Sequence, residues 1–292
     1  MHAGIVTVVG KPNAGKSTLL NRIVGEKLSI ISPKPQSTRD RIVGIRTTND
    51  TQMVLLDTPG LLEPKYALQH VMRSTALRAL EDADVIVYLV DATLGGPPTL
   101  QEAAGLPRPP AAPVLLALNK VDRVNSSDCT ALAADYPDAL LISAETGDGV
   151  DRLLEAVARA LPESPFLYPE DDISTQSLRF FTAELIRETA LEQLDEEVPY
   201  SVACSIEEFR EDRSPVYIRA TIYVERDSQK RILIGERGAR IREIGRAARV
   251  KIERLVGGAV YLDLWVKVQA NWRRDARALE RFGYRMPQEP AR

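Results

Sequence analysis

Near the start of the chain, Gly10-Lys11-Pro12-Asn13-Ala14-Gly15-Lys16-Ser17 has the residue types and spacing of a phosphate cradle. The run reads G-x-x-x-x-G-K-[ST] and lies between an apolar strand-like stretch, Ile5 to Val9, and a helical one, Lys16 to Val24. Its glycines let the backbone wrap closely around phosphate. The amides from Asn13 to Thr18 would point inward, with the positive end of the helix dipole behind them. Lys16 is then the cation for the β- and γ-phosphates, and the Ser17 hydroxyl a ligand for Mg2+. Asn13 is a candidate ligand for a monovalent cation such as K+; a loop residue capping its own backbone is an equally good reading.

Three further segments supply base and metal chemistry. Asn119-Lys120-Val121-Asp122 follows the apolar run Val114 to Leu118. An aspartate there can accept from both the N1–H and the 2-amino group of guanine, which adenine cannot match, and an unmatched charged bond costs about 1.5–3 kcal/mol. Ser143-Ala144-Glu145, after Ala139 to Ile142, can bring a backbone amide to the guanine oxygen, so the expected nucleotide is GTP. Asp57-Thr58-Pro59-Gly60 ends the run Met53 to Leu56. Asp57 is expected in the Mg2+ shell through water, and the Gly60 amide at the γ-phosphate. In the loop Gln36-Ser37-Thr38-Arg39-Asp40, Thr38 is the candidate for a second Mg2+ hydroxyl. Lys16, Thr38, Asp57 and Gly60 form the expected catalytic set. Leu61 stands where a glutamine orients the attacking water in many GTPases, which predicts slow unaided hydrolysis.

These residues need a frame that brings them to one edge. The runs named above, with Val85 to Val90, are almost continuously apolar, as parallel strands covered on both faces must be. Amphipathic stretches at Tyr66 to Leu80 and Val150 to Leu161 alternate with them, giving an open α/β sheet whose ligands sit beyond the carboxyl ends of its strands. The segment from Leu161 to Asp172, with prolines at 162, 165 and 169, reads as an extended linker. Beyond it the pattern is α-β-β-α-α-β and a closing helix: Ser177 to Leu194, Val198 to Phe209, the alternating strands Val216 to Val224 and Val260 to Val268, the helix Ala239 to Leu255, and Arg273 to Arg281. The domain boundaries that follow are 1–162, a linker at 163–176, and 177–292.

Composition narrows the function classes. The 292 residues are 44% hydrophobic and 27% charged, which argues against disorder, and the longest apolar runs are far shorter than the roughly 20 residues of a membrane helix. No basic, then apolar leader precedes the first strand, so a cytoplasmic protein is expected. Cys129 and Cys204 fit no metal spacing and read as reduced thiols. Residues 200–292 hold 20 Lys and Arg against 13 Asp and Glu, a charge of +7, while residues 1–199 carry −10. A basic back half suits a polyanion, and a solvated face suits it equally.

The segments around Gly10–Ser17, Gln36–Arg39, Asp57–Gly60, Asn119–Asp122 and Ser143–Glu145 resemble the five motifs of the TRAFAC translation-factor-related GTPases with a hydrophobic switch residue. Ile234-Gly235-Glu236-Arg237-Gly238 resembles the G-x-x-G loop of a type II KH domain. With Leu264-Trp265-Val266-Lys267-Val268 and Arg277 to Tyr284, nearly the whole chain resembles the Era-like family of bacterial GTPases. The resemblance implies an α/β P-loop GTPase domain, an open mixed sheet with helices on both faces, followed by an α+β type II KH domain. It also implies a GTP-hydrolysing switch that uses Mg2+, binds the 3′ end of small-subunit ribosomal RNA and acts in assembly of the small ribosomal subunit. DNA is not an expected partner. A monomer in the cytoplasm, with weak peripheral contact at the inner membrane face, is.

A G-x-x-G turn between helices lets backbone approach phosphate while a neighbouring apolar groove takes about four unstacked nucleotides. Ile232 and Ile234 are the expected groove residues and Gly235, Glu236 and Gly238 the expected RNA-binding turn; Arg237, Arg240, Arg242, Arg246, Arg249 and Lys251 are the expected phosphate contacts, with about half of them touching RNA. Glu236 brings a negative charge that Arg237 must outweigh. Trp265 and Trp272 could stack on bases, but Trp265 is expected to pack under a helix and is left out of the site.

Overall fold

The computed structural model describes residues 1–286 and divides into two compact units: Met1–Pro64 with Met72–Thr175, and Lys65–Val71 with the chain from Gln176 onward. The first contains β1 (His2–Val9), α1 (Lys16–Val24), β2 (Ile42–Thr47), β3 (Thr51–Asp57), most of α2 (Ala67–Glu81), β4 (Val85–Asp91), α3 (Leu100–Ala104), β5 (Val114–Asn119), α4 (Ser126–Asp135), β6 (Leu140–Leu141) and α5 (Val150–Ala160). Its sheet has the order β2-β3-β1-β4-β5-β6, antiparallel at β2–β3 and parallel elsewhere.

Alternation along the strands shows why helices cover both faces. Val43 and Ile45 of β2 pack with Ala79 of α2. Gly44, between them, points the other way, where a Cβ would lie 2.7 Å from Val24 and 3.1 Å from Leu20 of α1. Neighbouring Ile86 and Tyr88 of β4 join α2 and α3 in one apolar cluster. The parallel order brings the carboxyl ends of β1, β3, β4 and β5 to a common edge, and the phosphate and base segments emerge there.

Residues 163–175 do not hang free of this unit. The buried Gln52 side chain accepts from the amides of Leu167 (2.7 Å) and Tyr168 (2.9 Å) and donates to the Tyr168 carbonyl (2.9 Å). The Ile45 amide donates to the Ile173 carbonyl at 2.9 Å. The segment is extended, as its prolines require, but it is laid along the β2–β3 edge.

The second unit contains α6 (Leu178–Gln193), β7 (Ala203–Arg210), β8 (Val216–Val224), α7 (Asp227–Ile234), α8 (Ala239–Val256), β9 (Val260–Val268) and α9 (Ala276–Arg281). Its sheet runs β7-β8-β9, with β7–β8 antiparallel and β8–β9 parallel. Ile218, Ala220, Ile222 and Val224 of β8 face Ile186 and Ala190 of α6 and Ile244, Ala248 and Ile252 of α8, all buried. The strand expected from Val198 begins only at Ala203, because Pro199–Ser201 forms a single 3-10 turn. The closing helix begins at Ala276, where Asp275 accepts from the Ala278 amide; Trp272–Arg274 before it is another short turn.

Candidate functional site

The run Gly10–Ser17 turns from β1 into α1 around Asn13 and Gly15, both left-handed, with φ of 62° and 98°. Its crowding explains the glycines. A Cβ on Gly10 would lie 2.1 Å from the Leu89 carbonyl, and one on Gly15 2.2 Å from the Asn119 amide nitrogen. Lys16 is buried, and its ammonium donates to the carbonyls of Gly10 (3.2 Å) and Lys11 (3.0 Å), curled back along the cradle. Burial pushes Lys16 down to about 8, against the opposing pull of Asp57.

Ser17, Thr38 and Asp57 converge from three elements. The Ser17 hydroxyl donates to Asp57 Oδ2 at 2.7 Å and lies 3.0 Å from the Thr38 hydroxyl, which is itself 3.4 Å from the same oxygen. Asp57 is fully buried; desolvation pushes its carboxyl up, partly offset by Lys16, and its buried Oδ1 has no hydrogen-bond partner among the described residues. Two hydroxyls and a carboxylate with a spare buried oxygen form an all-oxygen donor set of the kind a hard divalent cation takes. Gly60 packs on the cradle, where a Cβ would lie 2.6 Å from the Pro12 nitrogen. Thr58 and Pro59 are buried beside it, and the Thr58 hydroxyl donates to the Val8 carbonyl at 2.9 Å.

Leu61 is positioned by its backbone, whose amide donates to the Gly10 carbonyl at 2.9 Å. Its side chain is buried among Ala76, Leu80, Ile86 and Tyr88. The neighbouring Leu62, not Leu61, lines the cavity.

That cavity, about 410 Å3, runs from Lys16, Ser17 and Thr38 at one end to Asn119, Asp122 and Ala144 at the other. Asn119 joins the ends: its amide donates to the Ala14 carbonyl at 2.7 Å, and its Oδ1 accepts from the Ala144 amide at 2.8 Å. Lys120 is left-handed, with φ of 69°, and pairs with Asp91 at 2.6 Å. Burial raises the Asp91 carboxyl, but hydrogen bonds from Lys120 and Thr93 outweigh it and hold the group below its usual range. Val121 closes the base turn through its amide bond to the Ile142 carbonyl, 3.3 Å. Ser143 is buried and accepts from the Thr146 amide at 3.1 Å. Glu145 lines the cavity. Asn13 donates to the Pro33 carbonyl at 3.0 Å.

Two residues missed in the sequence complete this arrangement. Arg22 of α1 donates through Nε to the Ala144 carbonyl at 2.6 Å and through Nη2 to that of Glu145, turning both carbonyls toward the helix. Nothing in the local sequence signals it, since its partners are 122 and 123 residues away. Asp91 did have a signal, a carboxylate at the carboxyl end of a central strand.

In the second unit, α7 gives way to α8 through Gly235, Glu236, Arg237 and Gly238. Gly235, Arg237 and Gly238 have φ of 71°, 49° and 77°. A Cβ on Gly235 would press 2.8 Å from the Arg240 Cβ. Glu236, Arg237 and Arg240 are exposed at this turn, and Arg242 folds back to donate to the Arg237 carbonyl at 2.8 Å. Leu233 is buried in the core, leaving Ile232 exposed and Ile234 half-buried on the outside.

Lys251 requires a correction. Its ammonium is bonded to Glu188 (3.0 Å) and to both carboxylate oxygens of Glu192 (2.8 Å each), tying α8 to α6 rather than facing the turn. It lies 13 positions beyond Gly238, about 20 Å along the helix. The tryptophans also differ from expectation. Trp265 is 56% exposed on β9, whereas Trp272 is fully buried and donates to the Ser201 carbonyl at 2.7 Å.

Residues 5–120 match the family described as 50S ribosome-binding GTPase, and residues 197–273 match the KH domain family. The chain is 44% identical to the GTPase Era of Geobacter metallireducens, over 97% of this chain and 98% of that protein. It is 42% identical to the GTPase Era of Halothermothrix orenii, with the same coverage. Two solved structures superpose with a TM-score of 0.90 at 40% identity, covering 97% of this chain and 99% of theirs. One is a variant of Aquifex aeolicus Era bound to GDP and AlF4−; the other is Era in complex with MgGDPNP and nucleotides 1506–1542 of 16S ribosomal RNA.

Proposed function

The chain belongs to the Era family of GTPases, and from that premise we propose that it is a GTP-dependent switch acting on small-subunit ribosomal RNA. It binds and hydrolyses GTP in the first unit, holds the 3′ end of that RNA at the Gly235–Gly238 turn of the second, and acts in assembly of the small ribosomal subunit. The observation that carries the reading is the joining of phosphate and base segments by one side chain, Asn119, in a chain that also carries an exposed G-x-x-G turn.

In this reading Lys16 and the amides of the cradle hold the phosphates, and Asp122 accepts from the guanine edge. Arg22 fixes Ala144 and Glu145 so that an amide of that loop meets the guanine oxygen. Ser17 and Thr38 supply hydroxyls to Mg2+, with Asp57 in its outer shell; the bound ion neutralises charge on the β- and γ-phosphates. The buried Leu61 side chain cannot orient water, which supports slow hydrolysis without a partner. Asn13 Oδ1 is the ligand we assign to K+, because the amide nitrogen of that side chain is engaged at Pro33. The monomeric state, the cytoplasmic location and peripheral contact with the inner membrane face rest on the family resemblance.

The test is RNA affinity in two nucleotide states. A short RNA carrying the small-subunit 3′ sequence should bind differently with GDP and with a non-hydrolysable GTP analogue, and should shift nucleotide affinity by the same factor. Equal affinity in both states would reduce the first unit to a passive nucleotide site.

A further inference from the structure

One face of the three-stranded sheet in the second unit is covered only at one end: among the described residues, Phe282 and Arg281 pack on Tyr223 at ring-centre distances of 4.9 and 5.7 Å, while Tyr261 and Trp265 stay exposed. Residues of β8 at even positions point into the core with α6 and α8, so the odd positions stand on the opposite face. The parallel register there sets Tyr217 beside Tyr261, Arg219 beside Asp263, Thr221 beside Trp265 and Tyr223 beside Lys267. Tyr217 and Tyr261 are stacked, with centroids 5.8 Å apart and planes at 11°. Tyr261 is 58% exposed and Trp265 56%, a large aromatic surface left in water.

The exposed aromatic rings of this face, with cations among them, point to a partner. Asp263 is held by Arg219 (3.0 Å) and by the Tyr217 hydroxyl (3.2 Å). Glu208 is paired with Arg210 and Arg219 and Asp263 with Arg219, and Glu207 accepts from the Tyr223 hydroxyl at 3.3 Å, so the acids of this face are each engaged within it. The guanidinium groups of Arg210 and Arg219 lie 5.6 and 5.7 Å from the Tyr217 ring centre, and Lys267 is exposed at the other end. Flat aromatic faces fixed on a sheet and interleaved with cations are suited to unstacked bases and their phosphates.

We propose that this face is a second RNA-binding surface, on which Tyr261 and Trp265 stack bases of the single strand that continues from the G-x-x-G turn. It rests on the RNA-binding reading above and extends it beyond the roughly four nucleotides that such a turn holds. Tyr261 and Trp265 are four positions apart on one strand, roughly 13 Å, which gives room for more than one base.

The test compares a tetranucleotide with a single-stranded 12-mer, both from the small-subunit 3′ sequence, on the full chain and on Trp265→Ala, Tyr261→Ala and Trp265→Phe. Loss of one stacked base weakens binding by about 5- to 150-fold. The 12-mer should therefore bind Trp265→Ala at least fivefold more weakly, with the tetranucleotide unchanged and Trp265→Phe close to the wild type. Indole emission should be quenched by the 12-mer in the wild type and not in Trp265→Phe, while the buried Trp272 reports that each variant is folded. Unchanged 12-mer affinity in Trp265→Ala overturns the surface, as does an equal loss for both RNAs. Failure of the wild type to bind either RNA overturns the underlying RNA-binding reading and this surface with it.

Discussion

Asn119 donates to the carbonyl of Ala14 at 2.7 Å across 105 residues of sequence, fastening the base end of the nucleotide cavity to its phosphate end. The same side chain accepts from the Ala144 amide, so one residue holds the cradle and both base segments. Its position also forbids a side chain at Gly15. Asn119→Ala should therefore loosen the whole cavity and weaken GTP and GDP alike, by about tenfold given two lost buried hydrogen bonds. Equilibrium titration with fluorescent nucleotides checks this, and a loss confined to GTP would contradict it.

The buried Lys16 makes the nucleotide-free protein sensitive to alkaline pH. Its folded-state value of about 8 lies below its ordinary 10.5, so the unfolded chain holds the proton more tightly. The penalty is full below pH 8 and is relieved as pH rises from about 8 to 10.5, a gain of order 3 kcal/mol. Urea unfolding of the nucleotide-free protein at pH 8 and pH 10 should show the wild type gaining stability relative to Lys16→Met. Parallel pH profiles would remove Lys16 from this role.

Leu61 invites a substitution that the structure argues against. Placing glutamine there to orient water should fail, because that side chain is buried in the core rather than in the cavity. Leu61→Gln should leave turnover per folded molecule without gain and cost about 1–3 kcal/mol of stability for a buried amide. A faster variant would show that the loop after Gly60 reorganises around the nucleotide.

Arginines and lysines near the G-x-x-G turn divide by partner. Arg237 and Arg240 are exposed at the turn, whereas Lys251 is bonded to Glu188 and Glu192. Replacing Arg237 and Arg240 with alanine should weaken RNA binding and lower the salt-dependence slope by roughly two. Lys251→Ala should leave both unchanged and lower the melting temperature instead. A reduced slope in Lys251→Ala would return that residue to the RNA site.

The phosphate cradle and Asn119–Asp122 were legible because each packs its chemistry into a few consecutive residues next to an apolar strand. Arg22 was not, because its role exists only once a helix and a loop more than 120 residues apart are folded together. Lys251 was misjudged because charges around one helix look alike in sequence, while burial separates them; Glu188, its partner, is 1% exposed. Alternation along Val260 to Val268 puts Trp265 opposite Leu264 and Val266, but periodicity does not say whether anything covers that face, and the helix expected over Trp265 is not there: it is 56% exposed. The prolines after Leu161 predicted an extended segment, yet only Gln52 reveals that it is laid along a sheet edge.

The central claim, that RNA at the second unit governs GTP hydrolysis in the first, is tested most directly by GTP turnover with and without RNA bearing the small-subunit 3′ sequence. RNA should accelerate turnover in the wild type, and the acceleration should vanish when Gly235 and Gly238, both held at positive φ, are replaced with aspartate. Turnover unchanged by RNA that demonstrably binds would contradict the claim.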